Sequence, residues 1–455
     1  MFLYAILAFV NTSTSTFMKF IALPLFAFIS FAVTVKAQSP GQTTISRWPG
    51  NKRGAVSITF DDGSVNQFKQ ALPILNKLNV KATFFIITGQ IPGSKFAGKF
   101  IGRPVKTIIA ETATTPTNST NFYERAAAAG YLGLIGPLDY HYKAGSLIDA
   151  GKPTEAYKVI DELYQKVRNN DFKEGIQHNT EYLDAHGTTW ADMRKYAAQG
   201  HEFGSHMVTH PRLAALDEAN MLYEMQSSRL DILHELGPRY TFSAEGPFGT
   251  ENERVMGYLH KVYPALRNRM PEPWLKEISR SNPANPGNTD KEYIQFQRGA
   301  TTKTPMPMMK AWVDTTANKD NTWLVLTFHG VDGIGWEALT HEQLAEYFGY
   351  IKAADDKLWI ATFGDVTRYM RERQSAKISA SAGKAAITVN LSHPLDKNQY
   401  NLPLSLKTYI PANWKIVKMI QGKKTLKLLP VTDAGGSYVL YRAMSNTSPV
   451  KLSAM

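Results

Sequence analysis

Three short clusters in this chain carry residue types that can do hydrolytic chemistry. The first is Thr59-Phe60-Asp61-Asp62-Gly63, which ends an apolar run beginning near Ala55. Two adjacent carboxylates at a strand end repel each other, and burying both without compensation is costly. A bound cation resolves the conflict if one carboxylate ligates and the other stays free as a base. The second cluster is Gly204-Ser205-His206-Met207-Val208-Thr209-His210-Pro211. Two histidines four apart can share one metal, and Pro211 biases His210 away from helical geometry, which places the pair on a loop at a strand end. The third is Leu326-Thr327-Phe328-His329-Gly330, a histidine closing a second apolar run. Taken singly, each has an ordinary reading: a solvated Asp-Gly turn, two unrelated surface histidines, a packed core histidine. Taken together, two His and one carboxylate are a catalytic zinc set that leaves a position for water.

These clusters need strands to hold them. From Ala55 to Arg373 apolar strands alternate with amphipathic helices, the pattern of an α/β architecture. Val56–Phe60, Ala82–Ile87, His201–Ser205, Tyr240–Ser243, Trp323–Phe328 and Leu358–Thr362 read as strands. Capping boxes at Thr189 and Thr340, and the Gly237-Pro238 stop after a long helix from Asp217, mark helix ends. Catalytic groups in such barrels gather at the C-terminal ends of the strands, where all three clusters fall.

Residues 92–187 break the alternation and read as an insertion over one face of the barrel; its His141, His178 and His186 are scattered singly and read as solvated or packed. Residues 375–383, Ser-Ala-Lys-Ile-Ser-Ala-Ser-Ala-Gly, read as a small-residue linker. Beyond it, 384–455 has short alternating runs separated by Pro, Asn, Asp and Gly, which predicts an all-β, sandwich-like module.

The three clusters, in this order, resemble the NodB-type polysaccharide deacetylases of carbohydrate esterase family 4. Ala82-Thr83-Phe84-Phe85 and Gly200-His201-Glu202-Phe203-Gly204-Ser205-His206 resemble that family too. The resemblance covers about residues 55–374 apart from the insertion. It implies a distorted (β/α) barrel in which Asp61 is the catalytic base, Asp62, His206 and His210 are metal ligands, and His329 is the general acid. The metal it implies is zinc first, with cobalt or nickel matching the same donors. The implied reaction is hydrolysis of an N- or O-linked acetyl group on a polysaccharide. In it the backbone N–H of Phe248 stabilises the oxyanion beside the metal.

The sequence departs from the family in two motifs. Glu245-Gly246-Pro247-Phe248-Gly249 has Glu245 where the family has an Arg that contacts the base, so the base is expected to ionise late. The family's motif of an Asp and a Trp before the His strand is indistinct; Asp314 or Asp320 is the candidate to tune His329. Met207 stands where the family prefers Ser or Thr, which removes no ligand. Two other readings stay open on these departures: a glycan-binding protein with a weakened site, and a metal-dependent amidase acting on a small cyclic amide. Among substrates, chitin, peptidoglycan, acetylated xylan and uronic-acid polymers all stay open.

Composition limits the setting. With 43% hydrophobic and 20% charged residues the chain has a globular make-up, and without cysteine it has no disulfide and no thiolate ligand. Met18-Lys19, the apolar run Phe20–Val35 and Val35-Lys36-Ala37 have the three-part pattern of a secretory leader over 1–37, with translation starting at Met1 or Met18. The expectation is a secreted or periplasmic bacterial protein with no membrane span after leader cleavage and no nucleic-acid partner. The net charge of +12 is concentrated near the C-terminus: residues 376–455 hold ten Lys and one Arg against Asp396 and Asp433. Such a field suits an anionic glycan or cell envelope, although lysines on exposed strand edges also serve to prevent edge-to-edge association.

Overall fold

The computed structural model describes residues 37–179, 187–269, 278–279 and 294–455. Residues 1–36 of the expected leader, and His186, lie outside them. Among the described residues no helix is long and apolar enough to cross a membrane.

The strands follow the chain as β1 (Thr43–Ile45), β2 (Gly54–Phe60), β3 (Thr83–Ile86), β4 (Leu134–Ile135), β5 (Lys173–Glu174), β6 (Glu202–Ser205), β7 (Ser243–Ala244), β8 (Ala265–Leu266), β9 (Ile278–Ser279), β10 (Ile294–Gly299), β11 (Thr322–Phe328) and β12 (Leu358–Ile360). The central sheet runs β8-β7-β6-β3-β2-β11-β10-β9, all parallel, with β12 pairing the start of β2. This is the curled, incompletely closed parallel sheet of a distorted (β/α) barrel. Every residue of β2 is buried, as a strand covered on both faces must be. Phe60, Phe84, Phe203, Phe328 and Phe348 pack into the main core between sheet and helices. Capping boxes form at Thr189 and Thr340 as the sequence predicts. The Tyr240–Ser243 strand is shorter than expected: a 3-10 turn takes Pro238–Thr241, as Pro238 favours, and pairing begins at Ser243.

The insertion builds a helical layer with its own core around Phe122, Ile160, Leu163 and Tyr164. It rests on helices Val105–Glu111, Phe122–Ala128, Pro137–Asp149 and Pro153–Arg168.

The C-terminal strands are β13 (Lys377–Ala382), β14 (Ile387–Ser392), β15 (Leu404–Tyr409), β16 (Val417–Gln421), β17 (Lys424–Leu428), β18 (Val431–Asp433), β19 (Gly436–Ala443) and β20 (Val450–Ala454). They form two antiparallel sheets, β13-β14-β20-β16-β17 and β1-β15-β19-β18, and the all-β module is present.

Two expected boundaries are corrected. Residues 377–382 of the proposed linker are β13, paired along its whole length with β14. Small residues that suit a linker equally suit a short exposed edge strand. At the other end, β1 pairs with β15, so the chain contributes a strand to the module before it enters the barrel. The two parts share one core in which Trp48, Ala55, Phe85 and Trp323 meet Leu404, Leu406 and Val439. The helix Phe363–Ser375 fastens the joint. Tyr369 Oη donates to the Ser46 carbonyl at 2.8 Å, Arg368 Nε to the Gln399 carbonyl at 2.9 Å, and Glu372 Oε1 accepts from Leu402 N at 3.0 Å.

Candidate active site

The C-terminal ends of β2, β6, β7, β8 and β11 converge on one cleft of about 770 Å³. All the sequence-predicted site residues except two are in its wall. Asp61 and Asp62 follow β2, and Asp62 adopts φ 74°, a left-handed conformation that turns the two carboxylates in different directions. Asp62 Oδ1 lies 3.5 Å from His206 Nε2 and 3.4 Å from His210 Nε2, with all three side chains buried. His206 Nδ1 lies 2.9 Å from the Glu245 carbonyl and donates there, which turns Nε2 toward Asp62. His210 and Met207 also have positive φ, 58° and 69°, as does Phe248 at 60°. Four left-handed non-glycine residues around one point are a costly local arrangement of the kind held at functional sites.

Electrostatics suit a cation. Burial opposes ionisation of Asp62, yet the hydrogen bond from His206 and the charges nearby hold it well below the usual carboxylate range. Burial, with His206 adding to it, pushes His210 down to about 3, so its imidazole is neutral. One ionised carboxylate oxygen and two imidazole nitrogens, mutually within 4.8 Å, fit a divalent metal by donor type, aim and charge. The loop between the two histidines is anchored from behind. Glu224, on the helix Glu218–Leu236, accepts from Val208 N and Thr209 N at 2.9 Å and from Thr209 Oγ1 at 2.7 Å.

Asp61 is held differently. Arg267, at the end of β8, grips it with two hydrogen bonds of 2.6 Å and also donates to Thr59 Oγ1 at 2.8 Å. Glu245 completes the cluster, with Oε1 3.2 Å from Arg267 Nη2. The expectation of an uncompensated, late-ionising base is therefore corrected. Burial alone would raise the Asp61 pKa, but Arg267, with His329 and His206 assisting, holds it below the ordinary value. The cation that grips the base stands at the end of β8, and Glu245, at the end of β7 where an Arg was expected, is its counter-charge.

His329 stands opposite, with Nε2 3.5 Å from Asp61 Oδ2 and its ring edge-on to Trp336 at 4.7 Å. Its Nδ1 is buried and makes no hydrogen bond among the described residues. The assignment of Asp314 or Asp320 as its tuning partner is corrected. Asp314 accepts from Tyr350 Oη and Asp320 pairs with Arg53, both at the exposed surface. Gln67, in the turn after the Asp pair, ties the two catalytic strands together by donating to the carbonyls of Asp61 and His329.

Two aromatic side chains line the open part of the cleft. Phe248 is 40% exposed and packs on His210 at 4.6 Å, with the Arg212 guanidinium over its other side. Trp336 is 56% exposed. It is set above His329 because Gly330 lets its loop fold back: a Cβ there would lie 2.5 Å from the Gly335 carbonyl.

The insertion reaches this site. Asn179 Nδ2 donates to the His210 carbonyl and lies 3.1 Å from His210 Nδ1. His141 is buried and packed, as expected, and accepts from Arg212 N at 3.1 Å.

The sequence profile of the polysaccharide deacetylases matches residues 49–111 and 148–263. This α/β region is similar to the polysaccharide deacetylase family over those residues. The profile passes over 112–147, a narrower gap than the insertion expected at 92–187. A gellan lyase of Bacillus sp. is 25% identical over 274 residues, which are 57% of this chain and 11% of that protein. The chain thus spans about a tenth of the length of that curated relative. Solved deacetylase structures share low identity with the chain. A putative polysaccharide deacetylase of Mycobacterium smegmatis is 13% identical, with TM-score 0.38, over 74% of this chain and 96% of that one. The chitin deacetylase of Colletotrichum lindemuthianum is 16% identical, with TM-score 0.32, over 69% and 88%.

Of the deacetylase residues named from sequence, Asp61, Asp62, His206, His210, Glu245, Phe248 and His329 meet in one place. Arg267, Gln67, Glu224, Asn179 and Trp336 were not named. For Arg267 a signal existed: Ala265-Leu266-Arg267 repeats the form of Ser243-Ala244-Glu245, a short apolar strand ending on a charge.

Proposed function

We propose that the protein hydrolyses acetyl groups, N- or O-linked, from a polysaccharide with the help of a divalent metal, zinc fitting the donor set first. One observation carries the reading. A ligand triad (Asp62, His206, His210) and a separate base–acid pair (Asp61, His329) share one cleft, with the pair 3.5 Å apart. A glycan-binding protein needs the cleft but has no use for that pair.

The triad would hold the metal, which supplies Lewis-acid polarisation of the acetyl carbonyl. Asp61, kept ionised and oriented by Arg267, accepts the proton of the attacking water. The Phe248 N–H donates to the oxyanion that develops on the acetyl oxygen. His329 gives a proton to the departing amine or alcohol. Trp336 offers a face for a sugar ring beside the reacting group. The leader-like sequence over 1–37 supports an exported protein that meets its polymer outside the cytoplasm.

The test is acetate release from chitin oligomers, peptidoglycan, acetylated xylan and acetylated polyuronates, with metal content measured on the same preparation. His206→Ala and His210→Ala are expected to lose metal and activity together. Full metal occupancy in both variants refutes the ligand assignment, and absence of acetate from the whole panel by metal-loaded protein refutes the reaction.

A further inference from the structure

The β-module carries a lysine face that edge protection does not explain. In β16 the buried residues are Val417 and Met419, and in β20 they are Val450 and Leu452. Alternation along a strand therefore turns Lys418 and Lys451 to the opposite, solvent side of the five-stranded sheet, where both are exposed. Lys427 of β17 lies directly across from Lys418. Lys451 stands opposite Ile420, two residues along β16 from Lys418. Three ammonium groups thus step diagonally over three adjacent strands, at cross-strand separations of about 5–8 Å. Lys377 extends the same face on β13, where its neighbour Ile378 packs inward.

The sheet order β13-β14-β20-β16-β17 makes β13 and β17 the edges. Lysines on those two strands can act as edge guards. Lys418 and Lys451 cannot, because β16 and β20 are paired on both sides. Directly opposed like charges destabilise a sheet, so the Lys418–Lys427 pair costs stability and gives the fold nothing in return. Among the described residues none of the four lysines is in an ion pair; of the module's two side-chain carboxylates, Asp433 is taken by Lys407 on the other sheet. Apart from Ile420, the rest of the face is polar and uncharged, with hydroxyls and amides such as Thr388, Asn390 and Ser379.

We propose that this face binds an anionic polysaccharide, a chain of sugars bearing carboxylates, which the lysines neutralise and the hydroxyls and amides hydrogen-bond. The face has no aromatic side chain on which nucleic-acid bases could stack, and Ile420 is its single large apolar residue, too little to enter a bilayer. The proposal goes beyond the hydrolytic reading and is tested without catalysis.

The experiment compares the full chain with Lys418→Ser/Lys451→Ser, which leaves the edge lysines in place. Retention is measured on immobilised polygalacturonate and on neutral dextran from low to high salt. Single-stranded DNA and phosphatidylserine vesicles are run in parallel. The expected result is roughly tenfold weaker binding of the variant to polygalacturonate at low salt, since two exposed charge contacts are lost, with the difference fading as salt rises. Lys418→Arg/Lys451→Arg is expected to retain binding, the Ser variant to unfold at or slightly above the parent's thermal midpoint as the Lys418–Lys427 repulsion is relieved, and all variants to keep the parent's hydrolysis of small acetylated substrates. Equal retention of parent and Ser variant on polygalacturonate overturns the proposal. So does failure of the parent to bind it, or binding of DNA or vesicles as tight as that of the polyuronate.

Discussion

Removing Arg267 isolates two buried acids at once, and that makes its effect calculable. Its guanidinium is 4% exposed and sits between Asp61 at 2.6 Å and Glu245 at 3.2 Å, themselves 5% and 1% exposed. Breaking a buried ion pair by deleting one partner costs about 3–5 kcal/mol, because the other charge is left without compensation. Arg267→Gln is expected to lose stability on that scale and to lower turnover, since Asp61 also loses its two-pronged orientation. Glu245→Gln is expected to cost much less, about 1 kcal/mol, because Arg267 keeps its stronger partner. Adding Glu245→Gln to Arg267→Gln is expected to recover about 1–3 kcal/mol, as one stranded acid disappears. The sharpest variant exchanges the two residues, Glu245→Arg with Arg267→Glu, which places the cation at the β7 corner. Urea unfolding of metal-free protein followed by tryptophan fluorescence gives the energies, and acetate release gives the turnover. An Arg267→Gln loss below about 1 kcal/mol, or no recovery on adding Glu245→Gln, would refute the argument that the three charges form one unit.

Three further outcomes are expected. Asp61→Asn and His329→Ala keep their metal, measured by elemental analysis, but lose roughly 10²-fold or more in turnover; a near-parental rate in either removes its role. Trp336→Ala raises KM for acetylated oligosaccharides by about tenfold while leaving hydrolysis of a small acetyl ester unchanged, as loss of a stacking face requires; equal effects on both substrates show that Trp336 acts by holding His329 instead. Burial pushes Glu224 up to about 7, above its unfolded value, so it adds stability that is complete in acid and declines as pH rises through that value. Thermal unfolding between pH 5 and 8.5 is expected to show a decline of up to about 3 kcal/mol that Glu224→Gln abolishes; a parallel decline in the variant assigns it to another group.

The parts of the site visible in the sequence are those where chemistry and strand end fall within a few residues of each other. Asp61, Asp62, His206, His210 and His329 each follow an apolar run long enough to read as a strand, so their convergence follows from the barrel itself. Arg267 follows a strand of only two paired residues, and its partner Asp61 is 206 positions away, so only the sheet order brings them together. Asn179 and Glu224 act through hydrogen bonds to loop backbone, for which no local pattern exists. The insertion was visible as a break in rhythm, but its reach to His210 was not. The linker reading failed at Lys377–Ala382 because an exposed edge strand of Ser and Ala lacks the apolar alternation that marks a half-buried one.

The strand β1 has a kinetic consequence. Thr43–Ile45 leaves the ribosome early, yet its register partner Leu406–Thr408 emerges more than 360 residues later. The loop-closure entropy of such a contact grows only as the logarithm of the separation, so the finished joint is affordable. Its formation must wait, however, and the shared core around Trp48 stays open until the last strands arrive. A growing chain therefore cannot lock prematurely, and the barrel and module complete each other in a single late step. A protease that trims residues before Ser46 would remove a paired strand at the seam between barrel and module rather than shorten a loose end.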